Sequence, residues 1–173
     1  MMRPFFLFLG CLALLNLTAK ADPLTVGAPA PQVTATDQEG QPVSFANIYA
    51  KGTTLVYFYP KAGSPGCTAE ACSLRDSYEK LHATGLQIIG VSRDDAGAQK
   101  HFQAENKLPF TLVADTDGKV AEAFGVPMMK KGDLTVALRQ SFIVKDDKIV
   151  WVSLKAQTKD SAAEVQKALD GLK

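Results

Sequence analysis

Two cysteines, Cys67 and Cys72, are the residues whose type and spacing most directly predict chemistry in this 173-residue chain. Cys67 follows Pro65-Gly66 and precedes residues that favour helix, so we expect it in the first turn of a helix. The unpaired backbone N–H groups of a first turn favour the thiolate, which is the reactive form of cysteine. Cys72 is close enough in sequence to trap an oxidised Cys67. The pair therefore predicts thiol redox chemistry.

The spacing of the two cysteines also restricts how they can pair. Five residues along an ideal helix rise about 7.5 Å and leave the two Cα atoms about 8.6 Å apart. A disulfide needs Cα atoms within about 7 Å of each other. If both cysteines lie in regular helix, we expect the first turn to unwind before the bond can form. A disulfide that only stiffens this loop remains an alternative, although so short a loop constrains the unfolded chain little.

The loop before Cys67 contains two further candidate site residues, Pro60 and Ser64. Ser64 lies three residues before Cys67, and its hydroxyl could either cap the helix or turn toward the thiol as donor and acceptor. Pro60, together with Pro65, limits the backbone freedom of the loop and shields the sulfur from bulk water.

The elements around this loop alternate between strands and helices. Continuous apolar runs predict strands buried on both faces, whereas apolar residues three or four apart predict helices. The sequence predicts an N-terminal hairpin over 32–45; strands over 53–59, 86–91 and 110–113; helices over 67–82, 96–106 and 118–124; a loop over 127–138; a hairpin of 140–144 with 148–154; and a helix opened by the capping box Ser161-x-x-Glu164 and ending near 172. This order predicts an α/β fold with a mixed central sheet and helices on both faces.

The N-terminus has the pattern of an export signal. Arg3 supplies a positive charge, Phe5 to Leu15 is apolar, and Ala19-Lys20-Ala21 is typical of a cleavage site. We expect residues 1–21 to be a cleaved signal peptide and residues 22–173 to be one domain, located in the periplasm or secreted. An uncleaved membrane anchor and a lipoprotein processed at Cys11 are alternatives.

Charge and cysteine count both change with this processing. The full chain has 19 basic and 18 acidic residues, and the segment 1–21 contains two of the basic ones and no acid. The remaining chain is near neutral and has no block of lysines, so we expect neither nucleic acid nor a membrane surface as a partner. The three cysteines of the full chain become two after cleavage, Cys67 and Cys72, and these are in an oxidising compartment.

The segment around the cysteines resembles the peroxiredoxins, and among them the bacterioferritin comigratory protein or PrxQ group. The family signature P-x-x-x-[TS]-x-x-C falls on Pro60, Ser64 and Cys67. Further landmarks agree over about residues 25–170: Gly90-Val91-Ser92-Arg93-Asp94, Leu108-Pro109-Phe110 with Asp115, Phe124-Gly125-Val126 and Arg139-x-Ser141-Phe142-Ile143. The resemblance implies a thioredoxin-like fold and thiol peroxidase activity on hydrogen peroxide and organic hydroperoxides.

The resemblance also implies roles for individual residues. Cys67 would be the peroxidatic cysteine and Cys72 the resolving one, with Arg139 as the guanidinium beside the thiolate; without the family pattern, Arg139 is a solvated arginine at a strand start. The reductant would be a thioredoxin-like protein or a small thiol, and we expect no metal or cofactor. An intramolecular resolving cysteine removes the need for a dimer, so we expect a monomer.

Two other functions share some of these features. Copper carriers of the thioredoxin fold use a cysteine pair and a distant histidine, but here the spacing is C-x₄-C and the histidines, His82 and His101, lie on predicted helices far from the C-terminal hairpin. Thiol-disulfide oxidoreductases favour C-x-x-C, in which one helical turn holds both sulfurs.

Overall fold

The computed structural model describes residues 23–172, which form a seven-stranded mixed sheet with helices on both faces and a separate two-stranded sheet. The strands are β1 (Thr34–Asp37), β2 (Pro42–Ser44), β3 (Thr54–Phe58), β4 (Gln87–Ser92), β5 (Thr111–Ala114), β6 (Met128–Lys131), β7 (Leu134–Ala137), β8 (Gln140–Lys145) and β9 (Lys148–Ser153). The helices are α1 (Phe45–Tyr49), α2 (Pro65–Asp76), α3 (Tyr78–His82), α4 (Ala96–Asn106), α5 (Lys119–Ala123) and α6 (Ser161–Asp170). The expected α/β architecture and its N-terminal hairpin are confirmed. The expected signal segment 1–21, with Cys11, lies outside the described residues, and the domain start at residue 22 stays a prediction.

Strand β3 is the centre of the large sheet, whose order is β2-β1-β5-β4-β3-β8-β9. It pairs in parallel with β4 and antiparallel with β8. All five of its residues are buried, as the β-branched and aromatic run predicts. Because the parallel strands β3 and β4 end at the same edge, the loops that follow them lie side by side. These are the loop before Cys67 and the turn containing Asp94.

Alternate residues of β3 face two separate cores. Val56 and Phe58 pack with Phe124 and Phe142 on the face covered by α1 and α5. Leu55, Tyr57 and the adjoining Tyr59 face the other side, where α2, α3, α4 and α6 pack. Cys67 belongs to this second core, together with Ala71 and Leu74 of α2. Helix α2 is therefore held to the sheet by apolar burial on its Cys67 face.

The predicted helix over 67–82 is two helices in the structure. Helix α2 begins at Pro65, two residues earlier than expected, because proline suits the first helical position. It ends at Asp76, and Ser77, with φ −105° and ψ 5°, separates it from α3. The helix predicted over 96–106 is confirmed, and the Asp95 carboxylate caps it by accepting from the Ala98 N–H at 2.8 Å.

Three local predictions are wrong. The predicted loop over 127–138 contains the antiparallel pair β6–β7, whose largely exposed residues gave no apolar pattern to detect. Phe45, assigned to the first hairpin, begins α1 instead, where the Ser44 hydroxyl accepts from the Asn47 N–H. The capping box at Ser161 does not form: Asp160 is the N-cap, and the Glu164 carboxylate accepts from Ser153 Oγ and the Gln157 N–H.

Within residues 23–172, no helix combines the length and apolar character needed to cross a membrane.

Candidate active site

Cys67 is the third residue of α2 and is 1% exposed. Its place in the first turn confirms the expectation from Pro65-Gly66. Ser64 is the N-cap, with extended backbone (φ −75°, ψ 147°), and its carbonyl accepts from the Thr68 N–H at 2.8 Å. The unpaired backbone N–H groups at the start of α2 therefore contribute partial positive charge at this end of the helix.

Arg139 brings a full positive charge to the same sulfur. Its Nη2 lies 3.2 Å from Cys67 Sγ, although the two residues are 72 apart in sequence. Arg139 immediately precedes β8, whose first residue Gln140 pairs with Phe58 at the end of β3, so the sheet register carries the guanidinium to the start of α2. Its side chain is 19% exposed, so it is largely buried rather than solvated. A charge-assisted hydrogen bond of this kind stabilises negative charge on the sulfur.

Glu70 is a site residue that the sequence reasoning missed. Its side chain is fully buried, one helical turn after Cys67, and Oε2 accepts a hydrogen bond from Arg139 Nη1. Its Oε1 has no hydrogen-bond partner among the described residues. Burial raises the pKa of Glu70 to about 8, and the Arg139 charge opposes that rise. Glu70 therefore holds the guanidinium through Nη1 while Nη2 contacts the sulfur.

Tyr57 forms the floor of the site from β3. Its ring stacks on Tyr59 with centroids 5.5 Å apart, and its buried hydroxyl has no partner among the described residues. Burial raises the pKa of Tyr57 well above its usual value, and the neighbouring Glu70 and Cys67 raise it further. Gly90 makes room for this ring, since a Cβ there would lie 2.7 Å from the Tyr57 hydroxyl.

The loop before Cys67 is held by the end of β4. Asp94 Oδ2 accepts hydrogen bonds from the Ala62 N–H at 2.8 Å and from Ser92 Oγ at 2.7 Å. Gln99 of α4 donates to Ser92 Oγ at 2.9 Å and accepts from the Tyr59 hydroxyl. This network connects Tyr59, directly after β3, and Ala62, in the loop, to α4. It thereby positions the start of α2.

Pro60 and Ser64 lie in this loop, as expected, but neither forms a hydrogen bond with Cys67 in the described structure. The Ser64 hydroxyl donates to the Lys61 carbonyl at 2.9 Å and makes no side-chain cap bond to α2. Ser64 is therefore the N-cap by position, as suggested, but its hydroxyl neither caps the helix nor turns toward the thiol. Pro60 is half-buried directly after Tyr59.

Cys72 has a different environment in the same helix. It is half-buried, both cysteines are free thiols, and its Sγ lies 3.7 Å from Asn106 Oδ1 at the end of α4. Both cysteines are in regular helix, which was the condition for expecting that they cannot pair without unwinding. The structure thus brings Cys67 and Arg139 together and leaves Cys72 apart.

Comparison with known proteins agrees with this geometry. The sequence profile of the AhpC/TSA family matches residues 26–153. The chain belongs to this family. It is 38% identical over 152 residues to the chloroplast peroxiredoxin Q of Sedum lineare. The aligned residues cover 87% of this chain and 80% of that protein. It is 41–44% identical to further plant peroxiredoxin Q proteins, but it spans only 56% of their length.

Solved structures of the AhpC/TSA family share the fold. Peroxidoxin BcpB of Mycobacterium tuberculosis is 28% identical, with a TM-score of 0.79 over 86% of this chain and 97% of that one. The Xanthomonas campestris bacterioferritin comigratory protein, described with an alkyl peroxide reduction activity, is 25% identical. Its TM-score is 0.73 over 80% of this chain and 90% of that one. The expected membership in the peroxiredoxin Q group is confirmed.

The histidines give this AhpC/TSA member no copper site with Cys67. His82 stacks on Tyr78 with ring centroids 5.2 Å apart, and its Nδ1 lies 3.2 Å from the Leu86 carbonyl oxygen. His101 is exposed on α4 and lies 3.9 Å from Glu105. In residues 23–172, no three His, Cys, Asp or Glu side chains converge as metal ligands. The copper-carrier alternative is not favoured.

Proposed function

We propose that this protein is a thiol-dependent peroxidase that reduces hydrogen peroxide and organic hydroperoxides through Cys67. The observation that carries the proposal is the contact of 3.2 Å between Arg139 Nη2 and the buried Cys67 Sγ at a helix start. Membership in the AhpC/TSA family and the peroxiredoxin Q relatives support it. The alkyl peroxide reduction activity of the Xanthomonas campestris relative supports organic hydroperoxides as substrates.

In the first step, the Cys67 thiolate attacks one oxygen of the peroxide. A sulfur–oxygen bond forms, the oxygen–oxygen bond breaks, and with one proton the products are the Cys67 sulfenic acid and water or an alcohol. The departing oxygen carries the developing negative charge. Arg139 is permanently protonated and already fixed by Glu70, so its N–H groups can stabilise that charge without reorganising.

In the second step, the Cys72 thiol displaces hydroxide from the Cys67 sulfenic acid. A disulfide forms and one water leaves, so the two thiols have supplied both electrons for the peroxide. Because both cysteines lie in α2, the helix between them must unwind first. A thioredoxin-like protein or a small thiol then reduces the disulfide and allows α2 to refold.

Peroxide consumption by matched cysteine variants tests this proposal. We expect Cys67→Ser to consume no peroxide above the uncatalysed rate with either hydrogen peroxide or an organic hydroperoxide. We expect Cys72→Ser to form the sulfenic acid in its first turnover, and to turn over further only when an external thiol is supplied. Peroxide consumption that survives in Cys67→Ser would overturn the proposal.

Amide hydrogen exchange tests the coupling between oxidation and unwinding. Residues 65–75 should exchange faster in the oxidised protein than in the reduced one, while β3 and β4 should not change. Cys72→Ser treated with one equivalent of peroxide is the matched control, because it forms the sulfenic acid without the disulfide. Equal exchange in the oxidised and reduced wild type would contradict the unwinding step.

We also propose that the protein is exported and acts as a monomer. The N-terminal pattern of Arg3, the apolar run and Ala19-Lys20-Ala21 supports export, and the intramolecular partner Cys72 supports a monomer. Mass spectrometry of the protein secreted by a bacterial host should find an N-terminus at Asp22. Sedimentation of the reduced and oxidised forms should each give the mass of one chain, and a stable dimer in either form would contradict the monomer.

A further inference from the structure

Helix α2 is attached to helix α4 beside Cys72. Arg75 Nη1 donates to the Asn106 carbonyl at 2.8 Å. Asn106 is the last residue of α4, and Lys107 then turns into the left-handed region with φ 51°. Carbonyls at a helix C-terminus lack partners within the helix and carry partial negative charge, so a guanidinium there is favourable in two ways.

The same residue, Asn106, contacts Cys72. Its Oδ1 lies 3.7 Å from Cys72 Sγ, and its Nδ2 donates to the Phe102 carbonyl at 3.0 Å, which fixes the amide against α4. Cys72 and Arg75 are three residues apart and so share one face of α2. A thiol is a weak hydrogen-bond donor, so the Arg75 bond to Asn106 is the stronger of the two attachments.

We infer that Arg75 is a positioning residue that holds Cys72 in the resting helix by binding the Asn106 carbonyl, and that it thereby limits the rate at which Cys72 reaches the Cys67 sulfenic acid. The inference rests on the proposed peroxidase function and its Cys67–Cys72 disulfide.

The hydrogen bond from Arg75 to the Asn106 carbonyl affects resolution rather than peroxide reduction. Cys67 is activated at the start of α2 by Arg139, where Arg75 makes no hydrogen bond. Resolution requires Cys72 to leave Asn106 while residues 65–72 unwind. Two other attachments hold the following turn: Ser73 Oγ accepts from the Ala162 N–H at 3.2 Å, and Leu74 is fully buried. Arg75 is the attachment that joins this turn directly to the helix end contacting Cys72.

Single-turnover measurements on wild type and Arg75→Ala test the inference. Each reduced protein receives one equivalent of hydrogen peroxide without reductant, and quenched samples are analysed by mass spectrometry for sulfenic acid and disulfide. We expect sulfenic acid to form at the same rate in both proteins and to convert to the Cys67–Cys72 disulfide roughly three- to tenfold faster in Arg75→Ala, the range for losing the one hydrogen bond by which Arg75 joins α2 to α4. With excess peroxide, the yield of Cys67 sulfinic acid should fall correspondingly.

Two variants separate this effect from general loosening of the fold. Asn106→Ala keeps the carbonyl that Arg75 binds and removes the weak Cys72 contact together with the side-chain bond to the Phe102 carbonyl within α4, so its resolution rate should change less than that of Arg75→Ala. Arg93→Ala also removes an arginine that donates to a backbone carbonyl, that of Thr116, but away from α2, so its resolution rate should equal that of wild type. Amide exchange of residues 70–76 in the reduced protein should increase in Arg75→Ala alone.

The results also separate the inference from the proposed function. If wild type forms the disulfide and Arg75→Ala resolves no faster, the inference fails and the peroxidase stands. If Arg75→Ala resolves more slowly, Arg75 assists resolution instead, and the inference is again wrong. If wild type reacts with peroxide and forms no Cys67–Cys72 disulfide, the proposed resolving step fails together with the inference.

Discussion

The two cysteines of α2 lie five residues apart and have opposite surroundings. Cys67 is almost fully buried, at the start of the helix, with a guanidinium 3.2 Å from its sulfur. Cys72 is half-buried, in the middle of the helix, and its sulfur lies 3.7 Å from the neutral amide oxygen of Asn106. The surroundings of Cys67 therefore favour reaction of its thiolate in place, whereas Cys72 has to move under the proposed mechanism.

The difference arises from which elements meet each sulfur. The Cys67 end of α2 meets the loop held by Asp94 and the start of β8, both fixed by the central sheet. The Cys72 region meets the end of α4 through side chains that a local unwinding can release. Within two turns of one helix, the Cys67 end is thus held by the central sheet and the Cys72 region by side-chain contacts with α4.

Removing Arg139 should reduce the difference in reactivity between Cys67 and Cys72 most strongly. Arg139→Ala deletes the charge beside Cys67, so we expect the second-order rate constant for sulfenic acid formation to fall about 10²- to 10³-fold. Alkylation of Cys72 should be unchanged, because Arg139 makes no contact with it. Stopped-flow peroxide kinetics measure the first quantity, and mass spectrometry of alkylated peptides measures the second.

Arg139→Ala also leaves the buried Glu70 side chain without its hydrogen-bond partner, which destabilises the fold. The double variant Glu70→Gln with Arg139→Met removes both ionisable side chains and serves as the control for folding. We expect it to be more stable than Arg139→Ala and equally slow with peroxide. A double variant that reacts at the wild-type rate would show that Arg139 is not part of the reaction.

Asp94 tests whether the loop before Cys67 needs rigid support. Asp94→Ala removes the acceptor for the Ala62 N–H and Ser92 Oγ, and the misplacement of the loop should lower the peroxide rate about tenfold. Asp95→Ala is the matched neighbour: it loses the α4 cap, which costs about 1 kcal/mol of stability, and should keep the wild-type rate. Equal rates for the two variants would contradict the positioning role.

The main elements of the fold and the reactive thiol can be predicted from the sequence. The buried run of β3 and the Pro-Gly before Cys67 are local signals, and each predicts its element with small errors at the ends. The break at Ser77 has no such signal, because nothing in its residue type opposes a continuous helix. The pair β6–β7 has a turn signal in Gly132-Asp133, but its largely exposed strands have no buried apolar run beside it.

The charges around Cys67 were harder to predict. The contact between Arg139 and Cys67 depends on the pairing of β8 with β3, and only the family resemblance anticipated it. Glu70 stands in the position of a buried residue, since it follows Cys67 by three and precedes Leu74 by four. Its acidic type argues for exposure, and only the structure shows the arginine that accompanies it.

Glu70 gives the Cys67 end of α2 a dependence on pH. Burial raises the pKa of Glu70 from its ordinary 4.5 to about 8. Between these values the folded protein holds a proton on Glu70 that the unfolded chain has lost, so the free energy of unfolding decreases as pH rises through this window. In a Cys67→Ser background, Glu70→Gln should reduce the decrease between pH 5 and 8 by at least about 1 kcal/mol.

Urea unfolding at several pH values measures this effect. Glu79→Gln, at an exposed position on α3, is the matched control and should retain the full decrease of the parent protein. If Glu70→Gln has the same dependence on pH as its parent, then Glu70 is ionised across the window and its burial is fully compensated by Arg139.

Ser64 should have the smallest effect of the candidate site residues. Its hydroxyl donates to the Lys61 carbonyl within the loop, and Asp94 holds the same loop independently. We therefore expect Ser64→Ala to lower stability by no more than about 1 kcal/mol and the peroxide rate less than about fivefold. Ser64→Thr keeps the hydroxyl and should react like wild type in the same stopped-flow assay. A loss of about 10²-fold in Ser64→Ala that Ser64→Thr restores would mean that the hydroxyl leaves Lys61 and donates to the bound peroxide. The Ser64 hydroxyl would then be a group that moves at the otherwise rigid Cys67 end of α2. The Cys67 end and the Cys72 region would differ in how far their groups move, since both would contain moving groups.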